Sequence, residues 1–428
     1  MQQRIAIISD HASPLAAVGG IDSGGQNIYV GETARSLAAR GYLVDVFTRK
    51  DQPELPEVVD WLPGVRVIHV PAGPAAFVRK EDVLPLLPEF AAFVQGFAAT
   101  HRYDVVHAHF FMSGAVALQL KASLGIPFVV TFHGLGLVRR LHQGAADEFP
   151  PNRIAIERDV IRGADAVVAE SPDDRRSLVT LYGAEPNRIA VIPCGFAPHE
   201  FWPIAPRFAR RVLGLASDVP ILLSVGRLVP RKGIDNVIRA LGVLGRRFGV
   251  PAELLIVGGN CDIADPVSTP EIGRLRAIAT QEGVAARVTF TGRRPRELLK
   301  LYYSAADAFV TTPWYEAFGM TTVEAMACGT PVVGARVGGM QYTVLDQRTG
   351  FLVPPNDPIV LAERLRDVCC SPRLAERFAS ASVRRAYALF TWERVAHSLA
   401  VVYAGLRRSA PVPEVAPVPE LLRSVAAA

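Results

Sequence analysis

The stretch Thr311-Thr312-Pro313-Trp314-Tyr315-Glu316-Ala317-Phe318-Gly319-Met320-Thr321-Thr322-Val323-Glu324 closes one apolar run and opens another, which continues through Ala325-Met326-Ala327-Cys328-Gly329. It reads as a strand, a loop and the start of a helix, with carboxylates at Glu316 and Glu324 on either side of a glycine. At a helix start the first amide N–H groups have no partner within the helix, and the macrodipole adds positive potential. Amides near Gly319, Met320 and Thr321 are therefore placed to receive a phosphate. Glu316 is expected to face whatever lies beyond that phosphate, and Glu324, further along the helix, to accept hydrogen bonds from a ribose.

Working outward, the same alternation of short β-branched runs and helical or glycine-rich segments fills the chain. Runs at Ile5–Ile8, Val44–Phe47, Val65–Val70, Val105–Ala108, Phe128–Phe132, Ala166–Ala169 and Ile189–Ile192 form one series. A second series comprises Ile221–Val225, Glu253–Val257, Val288–Phe290, Ala308–Val310 and Val332–Gly334, with helices between them such as Ile234–Leu244 and Glu271–Glu282. Such alternation is what a parallel sheet covered on both faces requires. The reading is an α/β chain of two doubly wound Rossmann-like domains facing a cleft, since ligands collect at the carboxyl ends of such strands. The expected boundaries are 1–198 for the first domain, completed by a C-terminal helix over about 392–408, then 199–391 for the second, with 409–428 as a disordered tail.

Composition agrees with that size. A chain of 428 residues exceeds one typical domain, and with 50% hydrophobic and 20% charged residues it can bury a large core. No apolar run approaches a membrane span, and Met1-Gln2-Gln3-Arg4 leads directly into a strand, so neither a transmembrane segment nor a signal peptide is expected. Five cysteines at 194, 261, 328, 369 and 370 show no paired-ligand spacing, which points to free thiols and a cytoplasmic protein rather than to disulfides or structural zinc. The net charge of +5 is uneven: residues 1–200 hold 18 Lys/Arg against 22 Asp/Glu, whereas residues 201–428 hold 28 against 19. A basic second half suits a nucleotide diphosphate. The absence of an aromatic-interleaved basic stripe speaks against nucleic acid.

Three further segments fall where the cleft should be. In Gly19-Gly20-Ile21-Asp22-Ser23-Gly24-Gly25-Gln26-Asn27, the glycines let the backbone approach a ligand ahead of a helix expected from Ile28 to Arg40. The spacing is not that of a nicotinamide-binding turn. Gly226-Arg227-Leu228-Val229-Pro230-Arg231-Lys232-Gly233 follows a strand; Arg227 can fork onto two phosphate oxygens while Lys232 supplies a point charge, a division that suits a diphosphate. His107-Ala108-His109 and Thr131-Phe132-His133-Gly134 each lie at a strand end. Alternation along a strand is taken to part His107 from His109, and with no third ligand in view a metal site is not expected. His133, beside a glycine, is better placed to touch a sugar.

Together the segments Gly19–Asn27, His107–His109, Thr131–Gly136, Gly226–Gly233 and Glu316–Glu324 resemble, in this order, the retaining family 4 glycosyltransferases of GT-B fold. Ile8–Leu15, Asp22–Gln26 and Arg79–Asp82 look most like the sucrose-phosphate synthase and inositol-phosphate N-acetylglucosaminyltransferase branches, both of which use a phosphorylated acceptor. The resemblance implies a catalytic group of His133, Glu316, Arg227 and Lys232. It implies donor contacts at Gly24, Gly25, Arg227, Lys232, Glu316, Phe318, Gly319, Met320, Thr321 and Glu324, and acceptor contacts at Gln26, Asn27, Lys80, His109 and Arg153. Phe110 and Gly134 depart from the inositol-phosphate branch, which has a tyrosine and a threonine there. The implied reaction moves a hexosyl unit, with retention, from a nucleotide-diphosphate sugar to a small phosphorylated sugar or polyol. A UDP-sugar is favoured and a GDP-sugar possible, with no metal or other cofactor required. A glycan or lipid-linked acceptor is the alternative within the class; a sugar-nucleotide epimerase, a dehydrogenase and a non-catalytic nucleotide-sugar binder are the rivals outside it.

Overall fold

A computed structural model describes residues 3–16, 24–216 and 218–406. The first sheet comprises β1 (Arg4–Ile8), β2 (Leu43–Arg49), β3 (Val58–Leu62), β4 (Val65–Val70), β5 (Val105–His109), β6 (Phe128–Thr131), β7 (Ala166–Ala169) and β8 (Ile189–Val191). Their order is β3-β4-β2-β1-β5-β6-β7-β8, parallel except for β3, which runs antiparallel to β4 at one edge. The second sheet contains β9 (Ile221–Val225), β10 (Glu253–Val257), β11 (Val288–Gly292), β12 (Ala308–Thr311), β13 (Val332–Ala335) and β14 (Gly350–Val353), all parallel, in the order β11-β10-β9-β12-β13-β14. Central strands are buried along nearly their whole length, as sheets covered on both faces demand.

Both sheets reverse their winding beside one strand, and those two places set the site. In the first, β1 lies between β2 and β5, and the helix Gly25–Ala38 follows it; in the second, β9 lies between β10 and β12. The turn Pro230–Lys232 follows β9, and the loop carrying Glu316 follows β12. A crevice opens at such switch points because successive crossovers leave to opposite faces. The helix after β1 starts at Gly25, ahead of the expected Ile28, because the Asn27 side-chain oxygen accepts from the Gly24 amide at 2.9 Å and caps the turn.

The chain passes between the sheets twice at one place. The Phe196 amide donates to the Phe390 carbonyl at 2.7 Å, and Phe196 bridges to Thr391 as the chain returns. A Cβ on Gly195 would lie 2.7 Å from the Trp392 ring, so only glycine lets the two crossings touch. The final described helix, Trp392–Leu406, then packs on the first unit: Tyr403 OH meets His107 Nδ1 at 2.7 Å, and Trp392 stacks edge-on to Tyr29. Gly19–Ser23 of the glycine-rich loop and the expected tail lie outside the described residues.

Candidate functional site

A cavity of about 760 Å³ lies between the two sheets, lined from both. On the second unit's side it begins with the turn after β9. Gly233 has φ +66°, and a Cβ there would fall 1.9 Å from the Thr312 carbonyl oxygen, so the turn presses directly on the strand end that carries Glu316. Lys232 Nζ donates to Glu316 Oε2 as a consequence. The loop beyond β12 is held from behind by Gly338 and Gly339, where a Cβ would meet the Glu316 and Ala317 carbonyls at 2.2 and 2.0 Å. Sequence reasoning passed over this glycine pair, whose adjacency in Val337-Gly338-Gly339-Met340 was the available signal.

The ionisation of this cluster follows from burial and from its neighbours. Burial works to raise the Glu316 carboxyl, but Lys232, Arg231 and Arg227 outweigh it and hold it below the usual carboxylate range. Burial pulls the Lys232 ammonium down, with Arg231 and Arg227 adding to the effect, in spite of Glu316. The carboxyl is held down by the cations around it, whereas the ammonium is held down first by burial and then by the neighbouring guanidiniums. Beside this cluster the first turn of the helix Met320–Ala327, entered through Gly319 at φ +93°, adds positive potential. Gly319, Met320, Thr321 and Phe318 all line the cavity beside it.

Glu324 is buried, and both its oxygens already accept: Oε1 from Arg296 Nη1 at 2.7 Å and Oε2 from Tyr303 OH at 2.9 Å. Each carboxylate oxygen keeps a second lone pair for a ligand hydroxyl. Arg296 and Tyr303 are functional neighbours the sequence reading missed; neither sits in a recognisable spacing.

The first unit's loop reaches across to this half. A Cβ on Gly24 would approach Arg227 Nε at 3.8 Å, and one on Gly25 would approach Met320 Cε at 3.4 Å. Gln26 and Asn27 line the cavity but spend their amides on the protein: Gln26 Nε2 donates to Ser9 Oγ at 3.2 Å, and Asn27 Nδ2 to the Ser13 carbonyl at 2.9 Å. Across the mouth, Gln143 Nε2 donates to Tyr315 OH and His142 stacks on the Tyr315 ring at 5.2 Å.

His133 lines the cavity with φ +56°, a strained backbone for a residue with a Cβ. Its Nδ1 lies 2.7 Å from Glu170 Oε1 and its Nε2 lies 2.9 Å from His109 Nδ1, so both ring nitrogens are engaged from within the first unit. His109 itself is fully buried behind His133 and does not line the cavity, which corrects its expected direct contact with an acceptor. The expectation that His107 and His109 part to opposite faces also fails. Positions two apart on a strand share a face, and the rings lie 4.3 Å apart. Burial depresses both imidazoles, which stay neutral. Glu170 and Asp174, also missed, form an acidic wall here; burial first, then Glu170, raises the Asp174 carboxyl to about 7.

Lys80 and Arg153 reach the same cavity, Lys80 from the single turn Lys80–Asp82 with Glu81 at 3.6 Å. Arg153 is buried among Phe110, Phe111 and Phe149, with ring centroids 4.8, 4.9 and 4.5 Å from its guanidinium carbon. Its Nε donates to Glu157 Oε1 at 2.8 Å and its Nη2 to the Gly134 carbonyl at 2.7 Å. Phe110 and Gly134, the two departures from the inositol-phosphate pattern, thus both touch Arg153. Among the described residues no group of three or more His, Cys, Asp or Glu could hold a metal ion, and no helix is long and apolar enough to cross a membrane.

Comparison with known proteins bears on the whole of this arrangement. Residues 24–195 match the family described as "Glycosyl transferase 4-like domain", and residues 207–385 match "Glycosyl transferases group 1". The chain is 37% identical to the D-inositol 3-phosphate glycosyltransferase of Corynebacterium diphtheriae, an alignment covering 94% of this chain and 95% of that one. Among solved structures it is similar to the sucrose-phosphate synthase of Thermosynechococcus elongatus, with TM-score 0.87 and 35% identity over 96% of this chain and 100% of that one. Anabaena HepE in complex with UDP and glucose superposes with TM-score 0.71 over 93% of this chain and 98% of that one; at 22% identity this adds to the fold only.

Proposed function

The chain belongs to the family 4 glycosyltransferases of GT-B fold, enzymes that act on nucleotide sugars, and on that footing we propose that it moves a hexosyl unit with retention from a UDP-sugar to a small phosphorylated sugar or polyol. The observation that carries this reading is a convergence of cations: Arg227, Arg231 and Lys232 act on Glu316 on one side of the cavity, while Lys80 and Arg153 line its other side. In this assignment the second unit, taken as residues 199–391, holds the donor, and the first, taken as 1–198 with the last helix, holds the acceptor. Arg227 and Lys232 take the diphosphate together with the helix start at Gly319, Glu324 takes the ribose, and Glu316 takes the transferred sugar. As the bond to the diphosphate breaks, negative charge grows where Lys232, Arg227 and the amides already converge, so stabilisation needs no rearrangement at that moment. Phe318, Met320 and Thr321 shape the pocket around that charge. Gly24 and Gly25 close it from the opposite side.

His133 presents its ring edge to the reacting sugar with its orientation fixed by Glu170 and His109. Lys80 and Arg153 provide the acceptor phosphate with a point charge and a fork, and Gln26 and Asn27 border its hydroxyls. Fructose 6-phosphate and inositol phosphate are the candidate acceptors; Phe110 and Gly134 weigh against the second, since they bring no side-chain hydroxyl beside Arg153. The same phenyl rings favour a second reading, an acceptor with an apolar or lipid-linked portion lying on Phe110 and Phe149. Free thiols and dependence on a nucleotide sugar suit a cytoplasmic setting. A screen of UDP- and GDP-sugars against phosphorylated and unphosphorylated acceptors, read by nucleotide diphosphate release and product mass, tests the proposal. Equal rates on an acceptor with and without its phosphate refute the phosphate site, and release of an altered sugar without acceptor points to an epimerase.

A further inference from the structure

Arg296 stands outside every motif, yet it joins more of the molecule than any of them. It opens the helix Arg296–Ala305 and lines the cavity. Its Nη1 donates to Glu324 Oε1 at 2.7 Å, and its Nε donates to Glu200 Oε2 at 2.7 Å. Glu200 belongs to the segment that has just crossed from the first unit, a turn in which the Glu200 and Phe201 amides both donate to the Ala197 carbonyl. The guanidinium also lies 4.7 Å from the centroid of the fully buried Phe201 ring.

A third element faces the same group. Glu32, on the helix that begins at Gly25, has its carboxyl raised by burial, with Arg35 at 3.6 Å lowering it, and Glu200 and Arg296 acting on it after that in opposite senses. One side chain thus touches the donor-side helix, the crossing segment and the electrostatic surroundings of the first unit's leading helix. Only a fork can do this, because a lysine ammonium cannot span two carboxylates at fixed angles. The remaining donor, Nη2, is buried with no hydrogen-bond partner. A buried unpaired N–H of a charged group is costly. Here it adjoins a carboxylate whose second lone pairs are also unspent.

We infer that Arg296 is a positioning residue that couples ribose binding at Glu324 to the crossing segment around Glu200, so that occupancy of the donor site tightens the connection between the two units. The inference rests on the reading of Glu324 as the ribose acid. When a ribose takes the outer lone pairs of Glu324, the carboxylate is fixed against Arg296, and Arg296 in turn is fixed against Glu200. Glu200 is 28% exposed and does not line the cavity, so it can be altered without touching the ligand.

The test titrates UDP, GDP and inorganic pyrophosphate into wild type, Glu200→Gln, Arg296→Lys and the double variant by calorimetry, and follows amide hydrogen exchange over residues 196–204 with and without the nucleotide. Glu200→Gln should weaken the preferred nucleotide at least threefold and Arg296→Lys at least tenfold, about 1.4 kcal/mol. The double variant should be no more than twofold weaker than Arg296→Lys, since both act through one contact. Pyrophosphate, which has no ribose, should bind all four proteins within twofold. Nucleotide should slow exchange at 196–204 in wild type and fail to do so in Glu200→Gln. Wild-type affinity and protection in Glu200→Gln overturn the inference, as does an equal loss for pyrophosphate. A wild type that binds pyrophosphate but neither nucleotide overturns the ribose reading of Glu324 itself, and with it the coupling. Should Arg296→Lys melt far below wild type, Glu200→Gln alone decides the matter.

Discussion

Lys232→Met removes the ammonium that faces Glu316 and keeps a side chain of similar length. Stripping one partner from a buried ion pair costs about 3–5 kcal/mol when the other charge is left alone. This pair is only partly buried, with side chains 23% and 20% exposed, and Glu316 is not left alone, because Arg231 and Arg227 also act on it, so the fall in stability should be smaller, on the order of 2 kcal/mol. Turnover should suffer more. Loss of one fixed donor to a developing negative charge costs about 2.7–4 kcal/mol, or roughly 10²–10³ in kcat. Thermal melting and steady-state kinetics with the preferred donor read the two effects separately.

The pH profile adds a signature that misfolding would not give. The folded-state pKa of Glu316 lies below its ordinary value, so its contribution is present above the unfolded value and lost as pH falls through the folded one. Without Lys232 that folded value rises, and the acid limb of kcat should move to higher pH. In Lys232→Met Glu316→Gln the second change should add little, because the two groups act as one unit. Turnover in Lys232→Met within threefold of wild type, or an acid limb that does not move, would refute the role given to the cation cluster.

Glu316→Gln alone should lower kcat by on the order of 10²-fold or more, while Glu324→Gln should act chiefly on nucleotide affinity; kinetics and nucleotide titration separate them. Chelators should leave activity largely intact, because Arg227, Lys232 and the helix start neutralise the diphosphate; strict dependence on Mg²⁺ would place that charge on an ion instead. Lys80→Ala and Arg153→Lys should each raise KM for a phosphorylated acceptor about tenfold, or 1.4 kcal/mol, with donor affinity nearly unchanged. For Asp174, whose carboxyl is raised to about 7 by burial and Glu170, the charged form is disfavoured in the fold, so stability is lost as pH rises from the ordinary carboxylate range through 7. Asp174→Asn should flatten the melting temperature over that window and gain most at pH 8; an unchanged profile removes Asp174 from the account.

The strands were legible because sheets buried on both faces write themselves as unbroken apolar runs, and β1, β4, β7, β9 and β10 fall within a residue of the reading. β3 and β14, both edge strands, were missed: in β3 the edge position leaves Val58 and Asp60 exposed and the run lacks a uniform pattern, and β14 is only the four residues Gly350–Val353. That Arg227, Lys232, Glu316, Gly319 and Glu324 would line one cavity was legible because helix starts, glycines and cations lie within single segments. What escaped was whatever depends on long-range closure. Glu170, Arg296, Tyr303 and Glu200 enter through partners 21 to 96 positions away in the chain, such as Glu324 for Tyr303 and Arg296 for Glu200, and no local spacing encodes them. His109 shows the reverse error: its place in the sequence suggested a ligand contact, but one ring in front of it intervenes.

The arrangement explains why so much of the site can be buried. Two sheets each leave a crevice at the strand where their winding reverses, and the crossings at Phe196 and Thr391 hold those crevices face to face. In one of them Lys232, Arg231 and Arg227 act on Glu316 and hold its carboxyl down, while burial and the two guanidiniums pull Lys232 down. A bound diphosphate would reverse both shifts, drawing Lys232 upward and letting Glu316 rise towards its ordinary value. Proton uptake on nucleotide binding near the alkaline limb follows from this. Calorimetry in buffers of different ionisation enthalpy measures that uptake directly, and binding with no proton exchange at high pH would mean that Lys232 does not meet the ligand.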